Sequence, residues 1–473
     1  MRDFVRRGYR FFAAVADRPH YVGQGGRERG DSMTLALALL DGVRGELLLF
    51  AAVTIALLGL DDALLDLIAA MVRRRDCAID GAAPVPRLRF AIFVPAWREE
   101  RVIGAMIAAT LARYDHPAYR LYVGCYPNDP ATAAAVAALS DERVRLVIGR
   151  SDGPTTKADC LNTLWRALRA DTRFAADAVV LHDAEDLVHP AELRALEQAI
   201  ATAALAQLPV VPLIDPRRSL VSGHYADEFA EAHARDLVVR QALGAALPLA
   251  GVGCAIRCEA LALLGGDEDA PFAADSLTED YELGLRLGAL GRTGRFLRVR
   301  DADGTLVATR AYFPDTLRGA VRQKARWVGG IALAGWDRTG WSRGIAERWM
   351  RWRDRRSPLA AVALASGYAS AVVEGISVLG HRWFGTSPPA PGNIVIWLLT
   401  LNAVLLGWRL LVRAGLTAAS YGGAEGLRAI VRVPVANLVA VLSTWRALRL
   451  HVGALSGTPV RWEKTAHRFP DLP

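Results

Sequence analysis

Two kinds of apolar pattern alternate along the chain. Residues 47–60 are uninterrupted apolar, and helical periodicity continues through DDALLDLIAAMV to the arginines at 73–75. Counted to Ile68, this stretch is long enough to cross a bilayer as one helix. Asp62 and Asp66 share a helical face near its basic end. We read them as an acidic helix end that pairs with basic neighbours at the interface, not as an intramembrane site. From residue 88 onward the pattern changes. Short apolar runs at 88–96, 119–129, 143–149 and 178–186 read as buried strands, and the stretches 97–114 and 157–169 between them as helices. Strands alternating with helices predict an α/β fold around a mostly parallel sheet covered on both faces. Long apolar runs return after residue 357. Residues 359–380 carry one charge, Glu374, and residues 394–408 open a further span stopped by Arg409 and Arg413. The last run, 433–445, is short, lies between arginines and contains Pro434 and Asn437. That predicts a helix lying in the membrane interface instead of crossing it.

The expected division is therefore an N-terminal extension (1–45), a first transmembrane helix (46–75), a soluble α/β domain (85–345), two transmembrane helices (357–415), and an interfacial helix with a tail (425–473). An apolar content of 52% over 473 residues agrees with a chain that is partly membrane-embedded. The net charge of +8 comes from arginines that flank apolar segments, so it reads as juxtamembrane charge, and nucleic acid is not an expected partner. Positive-inside logic places the α/β domain and the C-terminus in the cytoplasm and residues 1–32 outside. Residues 1–32 are polar and rich in Arg and Gly, without the apolar core of a signal peptide, and are expected to form a mobile extension. The five cysteines are scattered and have no zinc spacing, as expected for small buried residues in a reducing compartment.

Candidate chemistry centres on VVLHDAEDLVHP, where a short strand ends in Asp183, Glu185 and Asp186. In open α/β sheets ligands bind just outside the carboxyl ends of strands. Hard oxygen ligands there suit Mg²⁺ or Mn²⁺, with phosphate oxygens completing the shell. Other polar groups recur in order: Pro95, Trp97 and Glu99 after the first strand, Asn128-Asp129 after the second, and Lys157 opening a helix. Thr278-Glu279-Asp280 and then Gln323, Arg326 and Trp327 follow. Each has a purely structural reading as well. Asp129 and Asp280 could cap helices, Lys157 could be a solvated charge, and Trp327 could anchor the chain at the membrane. His182 and His189 read as packed residues beside the acidic cluster, because Mg²⁺ prefers oxygen.

In this order the motifs resemble the family 2 glycosyltransferases of GT-A fold, including the membrane-bound cellulose, chitin and hyaluronan synthases. The strongest likeness is to the bacterial inner-membrane subgroup called phage-adsorption protein B. The resemblance covers residues 47–470. It implies that Pro95, Trp97 and Glu99 contact a uracil, that Asp129 holds the uridine, and that Lys157 lies near the diphosphate. It makes Asp183-Ala184-Glu185 the metal motif, with Glu replacing the usual second Asp. Asp280, beside Glu279, becomes the general base. Gln323, Arg326 and Trp327 lie over acceptor and diphosphate, and Gly253 belongs to an acceptor-side loop. The implied activity is inverting transfer from a UDP-sugar to a growing exopolysaccharide or other membrane-associated glycan, with Mg²⁺ or Mn²⁺. The implied location is a bacterial inner membrane. Three spans make a slim channel, so export implies an oligomer or an outer-membrane or export partner. Single-sugar transfer to a polyprenyl phosphate and a non-catalytic scaffold or phage-adsorption role remain as alternatives.

Overall fold

The computed structural model describes residues 27–72, 77–78, 88–456 and 467–470, with side chains from residue 33 onward, those of 77–78 apart. The arginines at 73–75, the proline linker and residues 1–26 of the expected extension lie outside the described residues. Helix α1 (Arg27–Met71) begins well before residue 47 and so takes up part of the stretch expected to be an extension. The physical reason is that residues 33–46 hold Leu, Ala and other good helix formers and no proline.

The α/β domain follows: β1 (Phe90–Pro95), α2 (Ile103–Arg113), β2 (Tyr119–Cys125), α3 (Pro130–Ala137), β3 (Val144–Ile148), α4 (Lys157–Arg169), β4 (Ala178–Leu181) and α5 (Glu192–Ile200). Then come β5 (Leu205–Gln207), β6 (Val210–Leu213), α6 (Ser219–Glu231), β7 (Cys254–Arg257), α7 (Glu279–Ala289), β8 (Gly294–Phe296), β9 (Thr309–Tyr312) and α8 (Leu317–Trp327). Seven strands form one sheet in the order β3-β2-β1-β4-β7-β5-β8. The four strands expected from the sequence make its parallel half. β7 runs antiparallel between β4 and β5. A separate parallel pair joins β6 to β9.

Side chains alternate across β1 and feed two cores. Phe90, Ile92 and Val94 pack with Met106 of α2 and Leu196 of α5, while Ala91 and Phe93 pack with Leu164 and Trp165 of α4. Burial on both faces is what an α/β sheet with helices on each side requires, and it explains the continuous apolar run of β1.

The chain closes with α9 (Ser357–Trp383), α10 (Asn393–Tyr421) and α11 (Gly423–Leu455). Together with α1, four helices among the described residues are long and apolar enough to cross a membrane. The expected short interfacial run is in fact the middle of a single 33-residue helix that passes through Pro434. Its flanking Arg432 does not end the helix, because Asp227 and Glu425 neutralise it. α11 packs along α6 and α8.

Contacts group the chain into two compact units. In the smaller, residues up to 52 with 366–396, Arg44 pairs with Glu374 at 2.8 Å and His381 with Asp41 at 2.9 Å. In the larger, Asp62 pairs with Arg353 at 2.9 Å and Arg356 at 2.6 Å, and Asp66 with Arg235 at 2.7 Å. Asp62 and Asp66 thus act as the sequence pattern implied, as an acidic helix end met by basic neighbours.

Candidate active site

Widely separated stretches of the chain line one cavity. Its wall includes Lys157, Asp183, Glu185, Asp186, Glu279, Asp280, Gln323, Arg326, Trp327 and His467. The first contribution comes from the end of β4. Asp186 turns back and accepts a hydrogen bond from the Asp183 amide at 2.9 Å, which holds the turn. Fully buried His182 lies 2.9 Å from Asp186 and 2.7 Å from Glu192. Burial disfavours its imidazolium, but these two carboxylates push it up to about 10. His182 therefore braces the loop and does not line the cavity, and His189 is engaged by Asp301 at 3.2 Å.

Lys157 opens α4, whose N-terminus is capped by the Thr156 hydroxyl. Its ammonium lies 2.5 Å from Asp183. Burial opposes ionisation of Asp183, yet the Lys157 charge wins and holds the carboxyl below its ordinary range. Glu185 behaves oppositely. Burial pushes it up to about 8, with the charges of Asp183 and Asp186 adding to the effect and His467 opposing it. One Glu185 oxygen, Oε2, is buried without a hydrogen-bond partner.

His467 was not identified from sequence. Its Nδ1 is 2.9 Å from Glu99 Oε1 and 3.2 Å from Glu185 Oε2, the second contact lacking hydrogen-bond geometry. Burial disfavours the imidazolium, but Glu185 and Glu99 push it up to about 9. Phe469 packs against the sheet core, and the Arg468 guanidinium lies 4.4 Å from the Tyr312 ring centre. The sequence signal was only an aromatic and basic cluster, HRF, in a polar tail.

Asp280 is the second residue of α7, and Thr278, not Asp280, occupies the N-cap position. Asp280 Oδ1 accepts from the Tyr281 amide at 2.7 Å. Its other oxygen comes so close to Gly251 that a β-carbon there would overlap it, and Gly251 has φ +77°. Burial raises the Asp280 carboxyl above its ordinary range despite Lys157. Burial, reinforced by Asp280, pushes neighbouring Glu279 up to about 7.

Gln323, Arg326 and Trp327 sit at i, i+3 and i+4 on α8, hence on one face. The Gln323 Oε1 is buried without a hydrogen-bond partner. Trp327 is half-buried among Tyr225, Phe229 and Phe313, at ring-centre distances of 6.1, 6.3 and 6.5 Å. Lys324, between them, turns away to pair with Glu228.

Pro95, Trp97, Glu99, Asp129 and Gly253 do not line this cavity. Pro95 ends β1. Trp97 packs edge-on against Tyr126, with ring centres 5.1 Å apart. The structural reading of Asp129 holds: its carboxylate caps α3, accepting from Thr132 N at 3.4 Å and from Arg98 N at 2.6 Å. Asp129 is not among the residues that line the cavity holding Asp183 and Asp280. Glu99 meets the cavity through His467, whose Nδ1 lies 2.9 Å from it. Gly253, at φ +59°, leaves room for Thr309 behind β7. Even so, Asp129, Glu99 and Asp183 follow the neighbouring strands β2, β1 and β4, so they share one edge of the sheet.

Among the described residues, no group of three or more His, Cys, Asp or Glu side chains is gathered as a ready metal cluster. The donor chemistry nonetheless fits a cation. Among the described residues lining the cavity, several carboxyls face Lys157 and Arg326 as permanent positive charges, and the buried Glu185 Oε2 has no hydrogen-bond partner.

A family model described as "Glycosyltransferase like family 2" matches residues 86–330. Bacteriophage adsorption protein B of Escherichia coli K12 is 33% identical over 465 residues, covering 89% of this chain and 62% of that protein. Bacteriophage N4 adsorption protein B of E. coli O157:H7 matches to the same extent. The chain thus spans 62% of the length of these relatives. Among solved structures, a mannosyltransferase from Pyrobaculum calidifontis in complex with GDP-Man and Mn²⁺ superposes with a TM-score of 0.49 at 19% identity, covering 84% of this chain and 99% of that one. With a family match over more than half its length, the chain belongs to the glycosyltransferase family 2 proteins.

Proposed function

We propose that the protein transfers a sugar from a UDP-sugar to a hydroxyl of a growing exopolysaccharide or other membrane-associated glycan, with inversion at the anomeric carbon. The reaction is placed at the cytoplasmic face of a bacterial inner membrane. The supporting observation is the convergence of Lys157, Asp183, Glu185, Asp280, Gln323, Arg326 and Trp327 on one cavity. Asp183 and Glu185, with His467 within reach, are the residues that would hold Mg²⁺ or Mn²⁺. When bound, the ion supplies positive charge for the diphosphate leaving group.

The chain's own residues account for the rest. Lys157 and Arg326 place fixed positive charge where the departing diphosphate gathers negative charge. Asp280 takes the proton of the acceptor hydroxyl, and burial, by raising its carboxyl, makes it a stronger base than a solvated aspartate. Gln323 offers an unsatisfied amide oxygen to the acceptor, and Trp327 a ring face for the C–H side of a sugar. With Asp280 as base and no covalent enzyme intermediate, the displacement is single and in line.

UDP release by the purified chain across a panel of UDP-sugars, with Mn²⁺ or Mg²⁺, tests this reading. Release dependent on one sugar and on the ion supports it, and no release with any donor counts against it. The names of the two relatives favour a second reading, a membrane component used in phage adsorption without catalysis. An Asp280→Asn chain that loses UDP release yet retains full biological activity in cells would favour that second reading.

A further inference from the structure

Asp280 stands in the first turn of α7, where the usual local hold on a helix start is not made. The N-cap residue Thr278 makes no side-chain capping bond, and its buried hydroxyl has no hydrogen-bond partner among the described residues. Side chains just beyond Asp280 hold the turn instead. Buried Glu282 accepts from the Ser276 hydroxyl at 2.6 Å, and Ser276 Oγ accepts from the Thr278 amide at 3.1 Å. The Arg338 Nε–H lies between the two oxygens of Glu282, at 2.7 and 2.8 Å, while its Nη1 pairs with Asp275. The Tyr281 hydroxyl donates to Asp354 at 2.8 Å, and Arg240 Nη1 donates to both oxygens of Asp354 at 2.9 Å. Arg338 lies on a short helix, Gly335–Thr339, and Asp354 on the helix Ile345–Arg355. Both helices follow Trp327 in the chain.

We propose that Arg338 and Asp354 are positioning residues that fix the Asp280 carboxylate through Glu282 and Tyr281, a role that rests on Asp280 being the base proposed above. Asp280 Oδ1 accepts from the Tyr281 amide, so the carboxylate is oriented by the residue whose side chain Asp354 holds. The other oxygen fits against Gly251 in a slot too narrow for a β-carbon. A small tilt of α7 therefore drives the carboxylate into Gly251 or swings it away from the acceptor hydroxyl. The acceptor side is tied to the same turn. Gly330, shortly after Trp327, lies so close to Thr278 that a β-carbon there would overlap its side chain. Arg338 and Asp354 thus set the base-bearing turn against the stretch that carries Gln323, Arg326 and Trp327.

The test is UDP release by the purified full chain, with hydrogen–deuterium exchange of residues 276–283 measured alongside in nucleotide-free protein. Arg338→Gln removes the charged contact with Glu282, and Tyr281→Phe removes only the hydroxyl that meets Asp354. Each should lower the turnover number on the order of tenfold, and the two together on the order of a hundredfold, with donor KM within about twofold of the unaltered chain. Exchange at 276–283 should rise in both. Arg338→Lys, which keeps the charge, should recover part of the rate. Arg343→Gln, at an exposed site between the two helices, should change neither rate nor exchange. A merely structural role would lower Tm and leave the turnover number of the folded protein as it was. That result, or a raised KM with an unchanged turnover number, would overturn the positioning role while the transferase reading stands. Unchanged exchange in both variants would overturn it without any sugar being transferred. No UDP release from the unaltered chain with any donor would instead take down the transferase reading, and the positioning role with it.

Discussion

As the proposed general base, Asp280 lines the cavity, and among the described residues no Lys or Arg forms a close ion pair with it. One of its oxygens is held by a backbone amide, and the other faces the cavity beside Gly251. Asp280→Asn should cut the turnover number by roughly 10²–10⁴-fold with little change in donor KM, as read by UDP release. Gly251→Ala should mimic it in part. A β-carbon would displace the carboxylate and force φ +77° on an alanine, so a loss of about a hundredfold is expected in a chain that still elutes as folded protein. Glu279 carries a pH signature. Its carboxyl ordinarily titrates near 4.5 and here near 7, so across that window the folded chain binds more protons than the unfolded one. Stability from this group therefore falls as pH rises from about 4.5 to about 7. Glu279→Gln should remove that fall. Between about pH 5 and pH 8 the unaltered chain should lose on the order of 2–3 kcal/mol more than the variant, read as a larger drop in Tm. Asp183, Glu185 and Asp280 were legible in sequence because each sits where a strand or helix ends, a local signal. His467 and the role of Gly251 were not, since their meaning lies in contacts across the fold. At Asp129 the local position that suggested a ligand contact is one that also serves a helix cap.

Besides the hydrophobic cores, buried charge pairs tie elements to one another. Asp227 on α6 and Arg432 on α11 are 0% and 1% exposed at their side chains and share two hydrogen bonds, of 2.7 and 2.9 Å. Gly223, one turn earlier on α6, makes room for the guanidinium, since a β-carbon there would overlap it. Without Arg432, buried Asp227 loses two hydrogen bonds and faces Arg413 at 3.5 Å. Arg432→Met should cost about 3–5 kcal/mol, seen as a lower Tm of the purified protein, and Asp227→Leu on top of it should restore much of that loss. The same pair explains why α11 was misread. Arg428, Arg432 and Pro434 interrupt the apolar run, and from sequence alone they look like an end. The acids that neutralise Arg432, Asp227 above all, lie elsewhere in the fold, so the helix continues. The parallel strands β1 to β4 were readable because β1 and β4 are continuous apolar runs, β2 and β3 are apolar runs broken by one arginine each, and helices lie between them. β5, β7 and β8 are only three or four residues long, and β7 is inserted antiparallel, so no periodicity marks them.

At the scale of the whole chain, helix count and tail position constrain each other. Among the described residues, four helices have the length and apolarity to cross a membrane. The α/β domain follows the first, so, if α9 and α10 both cross, α9 would lead the chain to the far side and α10 would bring it back. If α11 also crossed, the tail would end opposite the domain. Yet His467 lies 2.9 Å from Glu99, inside that domain. Parity therefore favours three crossings, with α11 lying along α6 and α8 at the surface despite its length. The apolar pattern of the sequence led to an expectation of three spans for a different reason, the shortness of the run from 433 to 445. Single cysteines decide between the two topologies. In intact cells, a membrane-impermeant maleimide should label Ser387→Cys, in the loop between α9 and α10, and should spare Ser456→Cys just beyond α11 until the membrane is opened. Labelling of Ser456→Cys from outside would mean that α11 crosses, and the contact of His467 with Glu99 and Glu185 could not then form in the membrane-embedded protein.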